Sequence, residues 1–482
     1  MQSSSTTRLI VEESLTLPIA VIAALLAISV FYTPIPLIAI AGVPLCIYFL
    51  TRPYELLLFM AFLIPFNFVF TIGAVPVAAE LLKIFVWIPF LLTRGSRASF
   101  VTSLSNKFFV VLGVLLCLSL VRAQDLPYTL KDSIRFGSNL GLVYLCLNLI
   151  DSREKILQIF RVLTISTFVV ALYGFYQWII QDYGPLFWIV NPRLDTSVAH
   201  YRDQFWEWRN RIISVLTSEM ELGHYFNLCI PIGLMLWLTE GRKRLGSKWL
   251  VITISIFIGL ILTFTFGAWL ALAATTFLFA VGFGGRQRWR RLVVSSLIFC
   301  ILAAILAVGP LRSTIEAKAS GNAIGSLAWD AGTRLYGWKL ALQLWWMHPL
   351  IGAGIGGYEH FSSDYDFVLG AQSQGSTPHN TYLYLLADLG LVGLISVLAI
   401  TVGAFRSNIR LMRSSSEMRL FAWALAFAIC TNLIGWFSDD SGQVGPHASY
   451  FFWLLIGLSE VLSRLISSNS DSSSAATVPA SS

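Results

Sequence analysis

His379 and Arg334 are the residues whose types and settings could do chemistry. A histidine offers a base near neutral pH, and an arginine offers a planar fork of donors for phosphate. The stretch Ser376–Gly393, STPHNTYLYLLADLGLVG, runs from a polar loop straight into an apolar helix. Pro378 restricts the residue before it and can stand near a helix start, so His379 is expected in the first turn of that helix. There the helix N-terminus lowers its pKa and makes it a neutral base. His379 and Asn380 are equally well read as a plain helix cap. Asp388 lies deeper on the same helix, where an acid is either functional or the partner of a cation elsewhere. Upstream, Thr333–Met347 repeats Leu335, Trp338, Leu342 and Trp345 or Trp346 at helical spacing. That predicts a helix lying at a membrane interface, either as a simple anchor or as a mount from which Arg334 grips phosphate bidentately.

Between these elements lies His348-Pro349-Leu350-Ile351-Gly352-Ala353-Gly354-Ile355-Gly356-Gly357. Its glycine spacing satisfies G-x-G-x-x-G, but no strand precedes it and no helix opening follows, so a dinucleotide site fails its context test. A turn that brings backbone close to packed helices or to a ligand fits better. A second aromatic and basic stretch, Tyr201–Arg211, includes Arg209 and Arg211. Rings and guanidinium groups of this kind suit sugar faces and phosphates, or equally an interfacial belt. Glu80 and Lys83 stand three apart in an apolar run, as an ion pair within one helix or as the lining of a polar cavity.

The elements that must position these residues follow from composition. The chain is 56% hydrophobic and 12% charged, with a mean hydropathy of +0.71, which excludes a soluble globular domain. Apolar runs near 15–32, 34–50, 54–71, 76–93, 107–121, 133–150, 156–180, 223–239, 249–264, 266–283, 292–309, 381–403, 420–437 and 449–466 give an all-α polytopic bundle of about 12–14 crossings. Residues 249–283 read either as one broken helix or as a tight pair. Basic clusters at Arg242-Lys243-Arg244, Arg286 to Arg291 and Arg406 to Arg419 fall on alternate connections, which places both termini in the cytoplasm. Loops 181–222, 310–380 and 438–448 then face outward, together with all six histidines. Residues 1–14 are read as a cytoplasmic segment, 15–466 as the transmembrane domain and the Ser/Ala-rich 467–482 as a disordered cytoplasmic tail. The six cysteines sit singly in apolar runs, so neither a disulfide framework nor a metal site is indicated. The net charge of +7 is mostly topology, and nucleic acid is not an expected partner.

Arg334 with Trp338 and Ala341, then His348-Pro349-Leu350-Ile351-Gly352-Ala353-Gly354, then His379-Asn380 with Tyr382, Leu383, Leu386, Asp388, Gly390, Leu391 and Gly393 resemble the Wzy-C module of O-antigen ligases and polymerases. The resemblance covers about 211–400. It implies a C-type glycosyltransferase-like membrane enzyme acting at the outer face on undecaprenyl-diphosphate-linked glycans. It also implies His379 as catalytic base, Arg334 as a diphosphate-binding arginine and Asp388 at a position often held by an acid. Arg211 with Ser214 and Leu216 is similar to the family's R-x-x-G-x-F opening, but Glu219-Met220 replaces the usual Pro-Asn. Thr265-Phe266 stands where Ser-Arg commonly precedes Gly-Ala-Trp-Leu, which removes a cation from the pocket floor.

The expected activity is therefore inverting, metal-independent and free of cofactors. His379 takes the proton of an acceptor hydroxyl while Arg334 and Arg211 receive the diphosphate, with Arg209, Asn380 and Tyr382 as further pocket candidates and Asp388 in support. Partners are a lipid-linked glycan donor, a glycan or lipid acceptor and membrane lipids. A polymerase would share the site. A transporter lined by Glu80, Lys83 and Asp388, or an inactive export scaffold suggested by Phe266, are readings of other classes.

Overall fold

Most of the long apolar runs among the described residues form helices, and the helix Glu219–Glu240 continues through Pro231. The computed structural model describes residues 48–66, 70–72, 75–77, 86–94, 104–123, 126–190, 211–216, 218–240, 246–283, 323–362, 378–413, 418–439 and 446–475. In chain order the helices are α1 (Pro53–Leu63), α2 (Trp87–Arg94), α3 (Leu104–Val121), α4 (Leu126–Leu149), α5 (Arg153–Ile180), α6 (Gly184–Val190) and α7 (Glu219–Glu240). They continue as α8 (Gly246–Leu262), α9 (Phe266–Phe283), α10 (Ala323–Met347), α11 (Thr381–Arg413), α12 (Arg419–Gly435) and α13 (Pro446–Ala475). Among the described residues, four helices, α5, α7, α11 and the Ser449–Ser467 part of α13, are long and apolar enough to cross a membrane, and five shorter apolar helices accompany them. Apart from one short strand pair, the described residues form a helical integral membrane bundle.

Two expectations are revised and one open alternative is resolved. Runs 54–71 and 76–93 are not continuous helices: α1 ends ahead of Pro65, and Pro76 lies in extended backbone. Strands β1 (Phe70–Ile72) and β2 (Val75–Val77) pair antiparallel there, with Thr71 opposite Pro76. Residues 249–283 resolve into the pair α8 and α9, which reverses through Phe264 at φ 51°. The expected tail from 467 is helical as far as Ala475, since a long helix already nucleated in its apolar part extends into polar residues at little cost. The runs at 15–32 and 292–309, most of 34–50, and Glu80 and Lys83 lie outside the described residues.

Helix α7 is the centre, with 78% of its apolar window buried against 50% for α5, and it packs on α5, α8, α12 and α13. Because lipid gives helices no hydrophobic reason to associate, polar side chains lock the contacts. Asn139 donates to Ser449 at 3.0 Å, Asn408 to Ser459 at 2.8 Å and Asn227 to the Ala268 carbonyl at 2.8 Å. At one end of the bundle, Arg161 pairs with Glu240 at 2.7 Å, the Trp249 indole donates to Glu240, and Arg464 closes the last turn of α4 through the Ile150 carbonyl. The outlying loops converge at the other end, where the candidate chemistry lies.

Candidate functional site

The start of α11 is fixed by its own cap. Asn380 accepts the Leu383 amide on Oδ1 at 3.1 Å, which makes Asn380 the N-cap and leaves His379 one residue outside the helix. His379 is therefore not in the first turn, as expected from Pro378. It sits half-buried on left-handed backbone at φ 44°. Such a conformation costs a non-glycine residue about 1 kcal/mol and persists only where neighbours over-determine it. The neighbours are visible. Trp338 Nε1 donates to the Pro378 carbonyl at 2.8 Å, and the Thr381 amide reaches the Trp436 and Asp439 carbonyls at 2.9 and 3.0 Å. The Thr381 hydroxyl adds a bond to the Asp439 carbonyl at 2.8 Å. The Tyr382 hydroxyl donates to the Leu433 carbonyl at 2.6 Å, so it holds α11 to α12.

The 436–439 turn that grips α11 also carries Arg334. Its Nη1 donates to the Ser438 carbonyl at 3.0 Å and its Nη2 lies 3.8 Å from the Met220 sulfur. Trp338 stands one turn after Arg334 on α10, so a single helix face touches both the Ser438 and the Pro378 carbonyls. The start of α9 closes the same turn, since a methyl group at Gly267 would stand 2.3 Å from Ser438 Oγ. Beneath it, the buried His224 ring packs on Gly435, and its Nε2 lies 3.6 Å from Asp439 Oδ2. Sequence reading placed His224 on the outer side without a role and passed over Asp439. Both face the interior at the ends of apolar helices, a setting that marks ionisable residues as candidates.

Arg211 comes from a strap, 211–216, laid against α5 and α8. Gln177 exchanges hydrogen bonds with the Ser214 amide and carbonyl at 2.7 and 2.8 Å, and the Ile212 amide reaches the Leu262 carbonyl. Ser214 takes φ 54°, a glycine-favouring conformation, at the position where the R-x-x-G opening implies glycine. Arg211 Nη1 meets Glu219 Oε1 at 3.0 Å, and the Thr265 hydroxyl donates to the Glu219 carbonyl at 2.9 Å. Arg209 lies outside the described residues.

Asp388 belongs to a different construction. It is fully buried and accepts the Gly356 and Tyr358 amides, each at 2.9 Å, at the start of a short helix over 357–362. Alongside, α11 breaks at Gly390 (φ 66°, ψ −169°). The break frees carbonyls at Ala387 and Asp388 and amides at Leu391 and Val392. The glycine-rich stretch supplies their partners: Ala353 and Gly354 donate at 2.9 Å, while Pro349 and Leu350 accept at 3.0 Å. A methyl group at Gly352 would lie 2.2 Å from the Asp388 carbonyl, and one at Gly390 would lie 2.4 Å from Leu350. Arg122 at the end of α3 ties the stretch down, with Nη1 on the Gly352 carbonyl at 3.0 Å and Nη2 on His348 Nδ1 at 3.1 Å. Burial and the neighbouring Arg122 hold the His348 pKa below its ordinary value, which suits an accepting Nδ1.

Residues 250–398 match the Wzy_C family, described as O-antigen ligase. Over that stretch the chain is similar to the O-antigen ligase family. No curated protein matches the chain. The O-antigen ligase match runs from α8 to the middle of α11, and so contains Arg334, His379, the glycine-rich stretch and Asp388. The strap with Arg211, the first turn of α7 and the 436–439 turn lie outside it but complete the same end of the bundle. Phe266, in the place of the ligase family's usual arginine, is 54% exposed and packs edge-on to Trp269 at 5.2 Å. With Leu270 and Phe277 it forms an outward apolar stripe on α9.

Proposed function

We propose that the protein transfers a glycan from an undecaprenyl-diphosphate-linked donor to an acceptor hydroxyl at the outer face of the inner membrane, as a surface polysaccharide ligase. The observation that carries this reading is the convergence of Arg334 and the His379 loop on one turn, 436–439, through Ser438, Trp436 and Asp439 carbonyls. A fixed cation and a base held by one rigid element meet the geometric needs of both partners of a displacement. The acceptor hydroxyl gives its proton to His379 as its oxygen attacks the anomeric carbon. The bond to the diphosphate breaks on the opposite face, inverting the centre, and Arg334 receives the developing charge. In this reading guanidinium, rather than a metal, meets the leaving group. The outward orientation is supported by basic clusters at the far ends of α7 and α11: Arg242–Arg244 follows α7 in sequence, and Arg406, Arg410 and Arg413 occupy the last turns of α11.

The test is transfer from lipid-diphosphate glycan in membranes that carry His379→Ala or His379→Gln. Loss of about 10²–10⁴-fold is expected for both. Undiminished transfer by either variant overturns the assigned base.

A further inference from the structure

We propose that Glu219 is an internal competitor for the anion site: it holds Arg211 while the site is empty, yields to the donor's phosphate, and re-forms the pair to help expel the spent carrier. The inference rests on the proposed transfer reaction for its substrate but on the geometry of α7 for its mechanism. Consecutive residues of one helical turn occupy two arginines. Glu219 pairs with Arg211 at 3.0 Å, and Met220 lays its sulfur 3.8 Å from Arg334. The Thr265 hydroxyl fixes the Glu219 carbonyl, so the carboxylate is presented from a pinned backbone and only its side-chain torsions need turn. The pair is 26% and 20% exposed, wet enough to exchange and dry enough for its charge to count.

The two contacts differ in kind. A thioether is a weak acceptor that an incoming phosphate displaces readily. A carboxylate neutralises Arg211 and must be outcompeted by a ligand with more charge or a better fork. Transfer leaves the carrier diphosphate with one more negative charge than the donor carried. Two unopposed arginines would hold that product longer than the substrate, so a tethered carboxylate that returns to Arg211 favours turnover over retention.

The experiment measures binding of inorganic diphosphate to the purified full-length chain in detergent, by calorimetry, beside donor KM and kcat in membranes. Glu219→Gln is expected to bind diphosphate about tenfold tighter and to lower the donor KM while kcat falls through slower release. Glu219→Asp, which shortens the reach to Arg211, is expected to gain about threefold and serves if the glutamine variant folds poorly. The gain should vanish in Glu219→Gln with Arg211→Ala. Unchanged or weaker diphosphate binding by the single variants, or a gain that survives loss of Arg211, overturns the proposal. Tighter binding without detectable glycan transfer by the parent protein would sink the transfer reading and leave the competitor role standing.

Discussion

Asp388 and Arg334 are both ionisable residues in an apolar bundle, yet the structure uses them in opposite ways. Both Asp388 oxygens accept backbone amides, and neither Gly352 nor Gly390 beside it has room for an added methyl group. Arg334, among the described residues, has one carbonyl hydrogen bond and one sulfur contact, a small part of what a guanidinium can donate. An ionisable group whose hydrogen-bonding capacity is consumed by the fold is a structural part. One whose capacity is left over is available to a ligand.

The comparison can be broken by exchanging its two halves. Asp388→Ala would leave the Gly356 and Tyr358 amides buried without partners, at roughly 3–5 kcal/mol. A thermal melt in detergent should show a large loss of stability, with transfer per folded molecule largely retained. If instead the variant melts normally and transfers nothing, Asp388 belongs with the chemistry. Arg334→Ala should do the reverse, costing about 10²–10³-fold in transfer with little change in melting temperature. A matching loss of stability there would reduce Arg334 to a brace for the 436–439 turn. The smallest effect sharpens the strap: Ser214→Gly relieves left-handed backbone and should raise stability by up to about 1 kcal/mol. A destabilised variant would mean that the Ser214 hydroxyl bond to the Val170 carbonyl, 2.7 Å, outweighs the strain.

Much of this was legible in the sequence because it depends on local pattern. Apolar run length gave α5, α7, α11 and α13, the tryptophan spacing gave α10, and the glycine stretch was readable as a close backbone approach. What could not be read depends on distant partners. Nothing near Asp388 in the sequence announces that its donors are amides some thirty residues earlier. Nor does the spacing of Glu219 and Met220 show that they reach Arg211 and Arg334. The placement of His379 failed for a local reason: Pro378 signals a helix start, but Asn380 is the better cap and moves that start two residues on. The hairpin at 70–77 was missed because its apolar composition is indistinguishable from that of a span.

The break at Gly390 has a consequence for how the protein is made. Helix α11 cannot satisfy its own backbone across the break, and its missing partners are residues 349–354, which leave the ribosome earlier. Until that stretch docks, the interrupted span would present bare amides and carbonyls to hydrocarbon, which lipid cannot solvate. Biogenesis of this span is thereby tied to prior docking of the preceding loop, so a defect in placing that loop would surface as a failure of membrane integration of α11.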